Sequence, residues 1–322
     1  MHTCPPPSDA LDEEFESYPS ENGTFGHLLL VHNRADDGTL AGALRPYFES
    51  AHLDARQEFH AEIGIDLHPD AGPNGALAIS YPGCLPRTTQ KGLFGEVMAG
   101  LVTEHYKLVG GHEWRVPVFL FRYHEDARNY LFALARDPRQ KRQTLGRLGS
   151  DFIGLLLDEK GTVSRFIAGE AKWRKTLTAP VVDTIMLGPL IDDPDGGADR
   201  VRSGKGVWND LNTDPAVPIG VRQLQKLLEE HDPDGFAAAI LSLDRALLVS
   251  TPRPLPRTDL VLIVGTGSAR RDETECLLPF EEPPAQYTAN RDLQLVEIVL
   301  KEGEALIETL YQSLWSSGED DA

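Results

Sequence analysis

Cysteine is nearly absent from this chain. Its 322 residues contain three, Cys4, Cys84 and Cys276, widely spaced and odd in number. They make neither a disulfide framework nor a paired-cysteine zinc pattern, and they fit a reducing, cytoplasmic setting. Long apolar runs are missing too: no stretch approaches the roughly 20 residues that a membrane helix needs. The start, Met-His-Thr-Cys-Pro-Pro-Pro, lacks the basic residues and apolar core of a secretory signal. Several nucleotide and hydrolase signatures fail. Val264-Gly265-Thr266-Gly267 follows an apolar run, but Arg270 stands where the dinucleotide pattern needs its third glycine. Gly204-Lys205-Gly206 lacks the phosphate-loop spacing and the hydroxyl after the lysine. His60 and His68 flank a possible strand without zinc-ligand spacing, and no Gly-x-Ser-x-Gly element occurs.

What is present is the composition of a soluble globular protein, 41% hydrophobic and 25% charged. The formal net charge is −19, which by itself repels nucleic acid. Its distribution is uneven. Residues 87–175 hold 16 basic and 10 acidic side chains, whereas the rest of the chain holds 15 and 40. One basic block therefore sits inside an acidic protein.

Composition and periodicity divide the chain. Residues 1–22, rich in Pro, Ser, Glu and Asp, read as a disordered acidic arm, and 316–322 as an acidic tail. Residues 23–86 read as an N-terminal α/β region, with strands at 27–31 and 76–81, a helix at 39–50 and a further element at 60–67. Residues 87–315 read as the main domain. It begins with a helix over 90–108 that puts Phe94, Val97, Met98, Leu101 and Val102 on one face. A strand over 116–123 and a helix over 125–136 follow, then a basic loop carrying Arg136, Arg139, Lys141, Arg142 and Arg147. Residues 188–218 read as an inserted loop, 219–231 as a helix, 236–249 as a helix or mixed element, 259–265 as a strand and 291–315 as one long amphipathic helix.

The clearest local signal is a hairpin. Phe152–Leu157 is apolar, Asp158-Glu159-Lys160-Gly161 supplies turn chemistry, and Val163–Ala168 returns. Its axis lies near residues 160–161, which sets Asp151 opposite Glu170. Cross-strand neighbours sit about 5 Å apart, close enough for both carboxylates to reach one divalent cation. Alternation puts Glu170 and Lys172 on one side, and Ala171 turns away with its carbonyl available as a further ligand. Two carboxylates hold a hard cation such as Mg²⁺. A nearby ammonium can orient an attacking water and stabilise charge on a phosphate.

Asp151 followed on the adjacent strand by Gly169-Glu170-Ala171-Lys172 resembles the PD-(D/E)XK nuclease superfamily, with Gly149-Ser150-Asp151 in place of the usual Pro-Asp. Gly92-Leu93-Phe94-Gly95-Glu96 matches the glutamate of that family's first core helix. Over residues 85–180 the chain is similar to the nuclease subunit of the Hachiman anti-phage defence system, which works with a helicase. The resemblance implies a restriction-endonuclease-like core, a mixed sheet flanked by helices. It implies Asp151, Glu170 and Glu96 as ligands of Mg²⁺ or Mn²⁺, Lys172 as the catalytic cation, and phosphodiester hydrolysis of DNA alongside a helicase partner. The basic loop would contact nucleic acid. Gln223 and Gln225 occupy a helix where the family sometimes has a polar residue, although solvated helix positions suit them better. The alternative is a catalytically inactive nuclease-like subunit that binds and regulates a partner protein.

Overall fold

A computed structural model describes residues 1–34, 38–63, 81–124, 128, 131, 150–194, 199–248, 254–267 and 275–315. Its centre is the run of apolar residues at Arg257–Gly267 (β7) and Asp292–Leu300 (β8), buried along almost their whole length. Strands covered on both faces need no polar alternation, so they read as continuous hydrophobic runs. Around them lie Glu16–Asn22 (β1), Phe25–His32 (β2), Phe152–Leu157 (β3) and Val163–Leu177 (β4), in one six-stranded sheet of order β1-β2-β8-β7-β4-β3. The pairs β2–β8, β8–β7 and β7–β4 are parallel, and the two outer pairs are antiparallel.

Helices cover both faces. Thr39–Ile63 (α2), Arg87–His105 (α3) and Gly303–Ser313 (α8) bury their apolar sides against one face, together with Ala171 and Trp173 of β4. Phe94 of α3 is fully buried there and meets Trp173 edge-on, with ring centroids 5.9 Å apart. Gly95 brings the helix close to β4: a Cβ at that position would lie 3.6 Å from the Ala171 Cβ. The other face is covered by Ala179–Leu187 (α4), Val207–Thr213 (α5), Val221–His231 (α6) and Ala237–Leu248 (α7).

Several elements differ from the sequence reading. The expected arm at 1–22 forms a helix, Ser8–Glu14 (α1), and the edge strand β1, because Leu11 and Phe15 anchor it in the core. β1 and β2 belong to the same sheet as the hairpin, so 23–86 is not a separate layer. The helix expected at 39–50 continues to Ile63 and absorbs residues 60–63 of the element expected at 60–67. The segment 116–123 forms no strand. It joins the hairpin only through the bridge between Arg115 and Leu155 and ends in a 3₁₀ turn at Phe121–Tyr123. Pro117, which has no N–H to give a ladder, stands inside it.

The stretch 188–218 is not one long loop. It contains a two-stranded ribbon, Leu190–Asp192 (β5) with Arg200–Arg202 (β6), followed by α5. The single helix expected over 291–315 is the central strand β8, a break at Lys301-Glu302, and the shorter α8. A short apolar run fits either period, and burial on both faces decided for strand. The strand expected at 76–81, apart from Tyr81, which stands in a turn, the tail at 316–322 and the basic loop with Arg136, Arg139, Lys141, Arg142 and Arg147 lie outside the described residues. So does the helix expected at 125–136, apart from Arg128 and Leu131. Among the described residues no helix is long and apolar enough to cross a membrane.

Candidate metal centre at the mouth of the hairpin

The hairpin register places the acidic pair. Phe152 lies opposite Gly169 and Ile153 opposite Ala168, the alignment its axis near 160–161 requires. A bulge between Leu156 and Leu157 shifts only the turn-side end. The turn is closed by Asp158, whose Oδ1 accepts the N–H groups of Lys160 and Thr162 at 2.9 Å each, and by Gly161 with φ +74°. Beyond the last β3 pair, the Asp151 N–H still donates to the Gly169 carbonyl at 2.8 Å. The two strands then part, and Asp151 fills the fork.

Three side chains meet there. Asp151 Oδ2 accepts from the Ala171 N–H at 2.8 Å and from Lys172 Nζ at 3.0 Å, while Lys172 Nζ also donates to Glu170 Oε2 at 2.5 Å. A residue's N–H and C=O leave a strand on the same side, so the Ala171 carbonyl also faces the open side of β4, beside Asp151. Ala171 and Trp173 point into the α3 core, which leaves Glu170 and Lys172 on the opposite face of the sheet. All three charged side chains are largely withdrawn from solvent, Asp151 and Glu170 at 15% exposure and Lys172 at 30%.

Two carboxyl groups share one ammonium, so the charges balance only while one carboxyl keeps its proton. Burial, and next the facing Asp151 carboxylate, push Glu170 up to about 8 from its ordinary 4.5, with Lys172 only partly opposing them. Burial would lower Lys172, but the two carboxylates outweigh it and hold the ammonium above its ordinary range. An additional cation would take the place of that proton and let both carboxyls ionise. The donors on offer, two carboxylates and a main-chain carbonyl, are the hard oxygens that Mg²⁺ or Mn²⁺ takes. The residues therefore fit such an ion.

Two glycines and a buried charge network hold this geometry. A Cβ at Gly169 would lie 1.7 Å from the Leu260 carbonyl oxygen, so only glycine lets β7 run this close beside Glu170. Gly265 plays the same part farther along, against the Arg174 carbonyl. Ser150, next to Asp151, is buried and donates to Asp214 Oδ2 at 3.2 Å. Asp214 pairs with Arg257 at 2.6 Å, Arg257 with Asp259 at 2.8 Å, and Asp259 accepts from Arg291 Nε and Tyr287 Oη at 2.8 Å each. This network ties the strand that carries Asp151 to the end of α5 and the start of β7. The sequence reading missed it. Its only signal was Arg257 and Asp259, two charges spaced by two at the start of an apolar strand.

The other described candidates make contacts of their own. Glu96 is buried on α3, which packs on the Ala171 face, and its carboxylate pairs with His124 Nε2 at 3.5 Å. Among the described residues one set of three ligating side chains has its donor atoms within 4.8 Å of one another, and it is His27, Cys276 and Glu297. Glu96 thus does not close a three-ligand set with Asp151 and Glu170. Gln225 is buried rather than solvated, held by Arg222 and Glu229 within α6, and Gln223 is half-buried on the same helix. No protein-family model matches this sequence, and no curated protein matches it.

Proposed function

We propose that the hairpin mouth is a Mg²⁺- or Mn²⁺-dependent phosphodiesterase site on a restriction-endonuclease-like core, and that the chain is an endonuclease subunit acting on DNA beside a helicase. The observation that carries this reading is the convergence of Asp151, Glu170 and Lys172 at the fork of β3 and β4, where two carboxyl groups share one ammonium. A bound divalent ion supplies Lewis acidity and a water more acidic than bulk water. Asp151 and Glu170 hold that ion, with the Ala171 carbonyl beside them. Lys172, freed from one carboxylate, keeps its proton and faces the charge that builds on a phosphate oxygen. The DNA substrate and the helicase come from the resemblance. They suit a chain of net charge −19, which binds phosphates poorly on its own and gains from a partner that delivers the strand.

Nicking of supercoiled plasmid in Mg²⁺, by the chain alone and assembled with a candidate helicase, tests this. Glu170→Ala and Lys172→Ala should each lower the rate by about a hundredfold or more. Undiminished nicking by either variant refutes the assignment.

The Lys172 ammonium already bridges both carboxylates, and this favours a second reading: an ion-paired clasp in a non-catalytic, partner-binding subunit. Calorimetry with Mn²⁺ separates the two. Heat that vanishes in Asp151→Ala supports the metal site, and no heat from the wild type supports the clasp.

A further inference from the structure

Glu297 is an anomaly of the central sheet. It stands in the middle of β8 among Leu295, Val296, Ile298 and Val299 and has no solvent exposure. A buried carboxylate is costly unless cations or donors surround it. Its Oε1 meets His27 Nε2 at 3.1 Å and accepts the N–H groups of Leu277 and Leu278 at 2.8 Å each. His27 comes from the neighbouring strand β2, where it pairs with Leu295 and so stands diagonal to Glu297. Cys276 arrives from the connection between β7 and β8, immediately before the two residues whose N–H groups hold Glu297. One ligating atom from each of His27, Cys276 and Glu297 lies within 4.8 Å of the other two.

We propose that His27, Cys276 and Glu297 form a second cation site, distinct from the hairpin mouth and selective for a borderline-soft divalent ion, Zn²⁺ foremost. The donor set decides the ion. One imidazole nitrogen, one sulfur and one carboxylate oxygen suit Zn²⁺, whereas Mg²⁺ wants oxygen alone. Charge agrees: a thiolate and a carboxylate carry two negative charges, which one divalent ion neutralises inside an otherwise apolar layer of Leu29, Ile263 and Leu295. Binding releases the thiol proton, so affinity rises with pH. Three protein ligands leave a fourth position for water or a small ligand. Access exists, because Cys276 lines an open cleft of about 660 Å³ together with Met186, Trp208 and Leu278. The ion would pin the β7–β8 connection to the sheet, on the same face that carries Glu170.

The test uses the full chain, dialysed against chelator and then titrated with Zn²⁺ against a chromophoric competitor. Wild type should take up one Zn²⁺ per chain, and the double variant Asp151→Asn, Glu170→Gln should do the same, which keeps this site separate from the hairpin. Cys276→Ala, a change at a half-buried position, should weaken binding by about a hundredfold or more. Co²⁺ in place of Zn²⁺ should give a thiolate-to-metal absorption band that Cys276→Ala loses. His27→Gln provides a second ligand deletion with the same expected loss. Unchanged Zn²⁺ affinity in folded Cys276→Ala, or no uptake by the wild type, overturns the proposal and leaves the trio a hydrogen-bonded clamp.

Discussion

Glu170→Gln separates the metal-centre reading from a plain salt bridge. The wild-type carboxyl is pushed up to about 8 by burial and by Asp151, from an ordinary 4.5 that the unfolded chain recovers. Between those values the folded protein holds one proton more than the unfolded chain. Its stability is therefore complete below about pH 4.5, declines as pH rises, and the contribution is lost by about pH 8. At about 1.4 kcal/mol per pH unit the window amounts to about 5 kcal/mol as an upper bound. The amide cannot ionise and keeps the shape of the protonated acid, so it escapes this loss. In chelator, urea unfolding should find the two proteins close in stability at pH 5 and the variant more stable by a few kcal/mol at pH 8. Mn²⁺ at a hundredfold over its dissociation constant should then narrow this gap at pH 8. Ligand at a hundredfold over its dissociation constant adds about 2.7 kcal/mol to a protein that binds it only when folded, and the variant has lost one of the ligands. A wild-type-to-variant gap that is the same at both pH values, or an equal Mn²⁺ gain in both proteins, refutes the reasoning.

Other perturbations probe the scaffold. Gly169→Ala forces a methyl into the Leu260 carbonyl, and should cost about 3 kcal/mol or more, seen as a large drop in thermal midpoint or as insoluble protein. Arg257→Met strips Asp214 of its ion pair and Asp259 of one of two. Urea unfolding should record a loss of about 3 kcal/mol, and Mn²⁺ binding should weaken as Ser150 and Asp151 loosen. Phe94→Ala empties the contact between α3 and Trp173 and should cost about 3–5 kcal/mol by the same assay. In that variant, Mn²⁺ heat at the hairpin should persist while the protein stays folded, because Phe94 lies on the opposite face from Glu170 and Lys172.

The hairpin and its charged mouth were legible because every determinant is local. Apolar runs of matched length, an Asp-Glu-Lys-Gly turn and period-two alternation set the register, and the register alone brings Asp151 to Glu170. Helix α3 was legible from apolar residues spaced three to four apart, although the fold buries every residue from Leu93 to Thr103. Chain partners were not legible. β8 offers no alternation, because strands buried on both faces have no polar side, so its apolar run passed for part of a helix. β1 is mostly exposed and polar, and only its ladder to β2 makes it a strand. The segment at 116–123 has strand-like composition but gained no neighbour to pair with beyond one bridge.

By itself, then, the sequence determined which residues could meet within one hairpin, since adjacent strands leave few ways to pair. Tertiary structure decided everything that depends on distant segments. It paired Glu96 of α3 with His124. It joined Asp214, Arg257, Asp259 and Arg291 behind Ser150. It also drew His27, Cys276 and Glu297, up to 270 positions apart in the chain, into one cluster. Such meetings follow from strand order in the sheet, which burial over the whole molecule selects and no local pattern encodes.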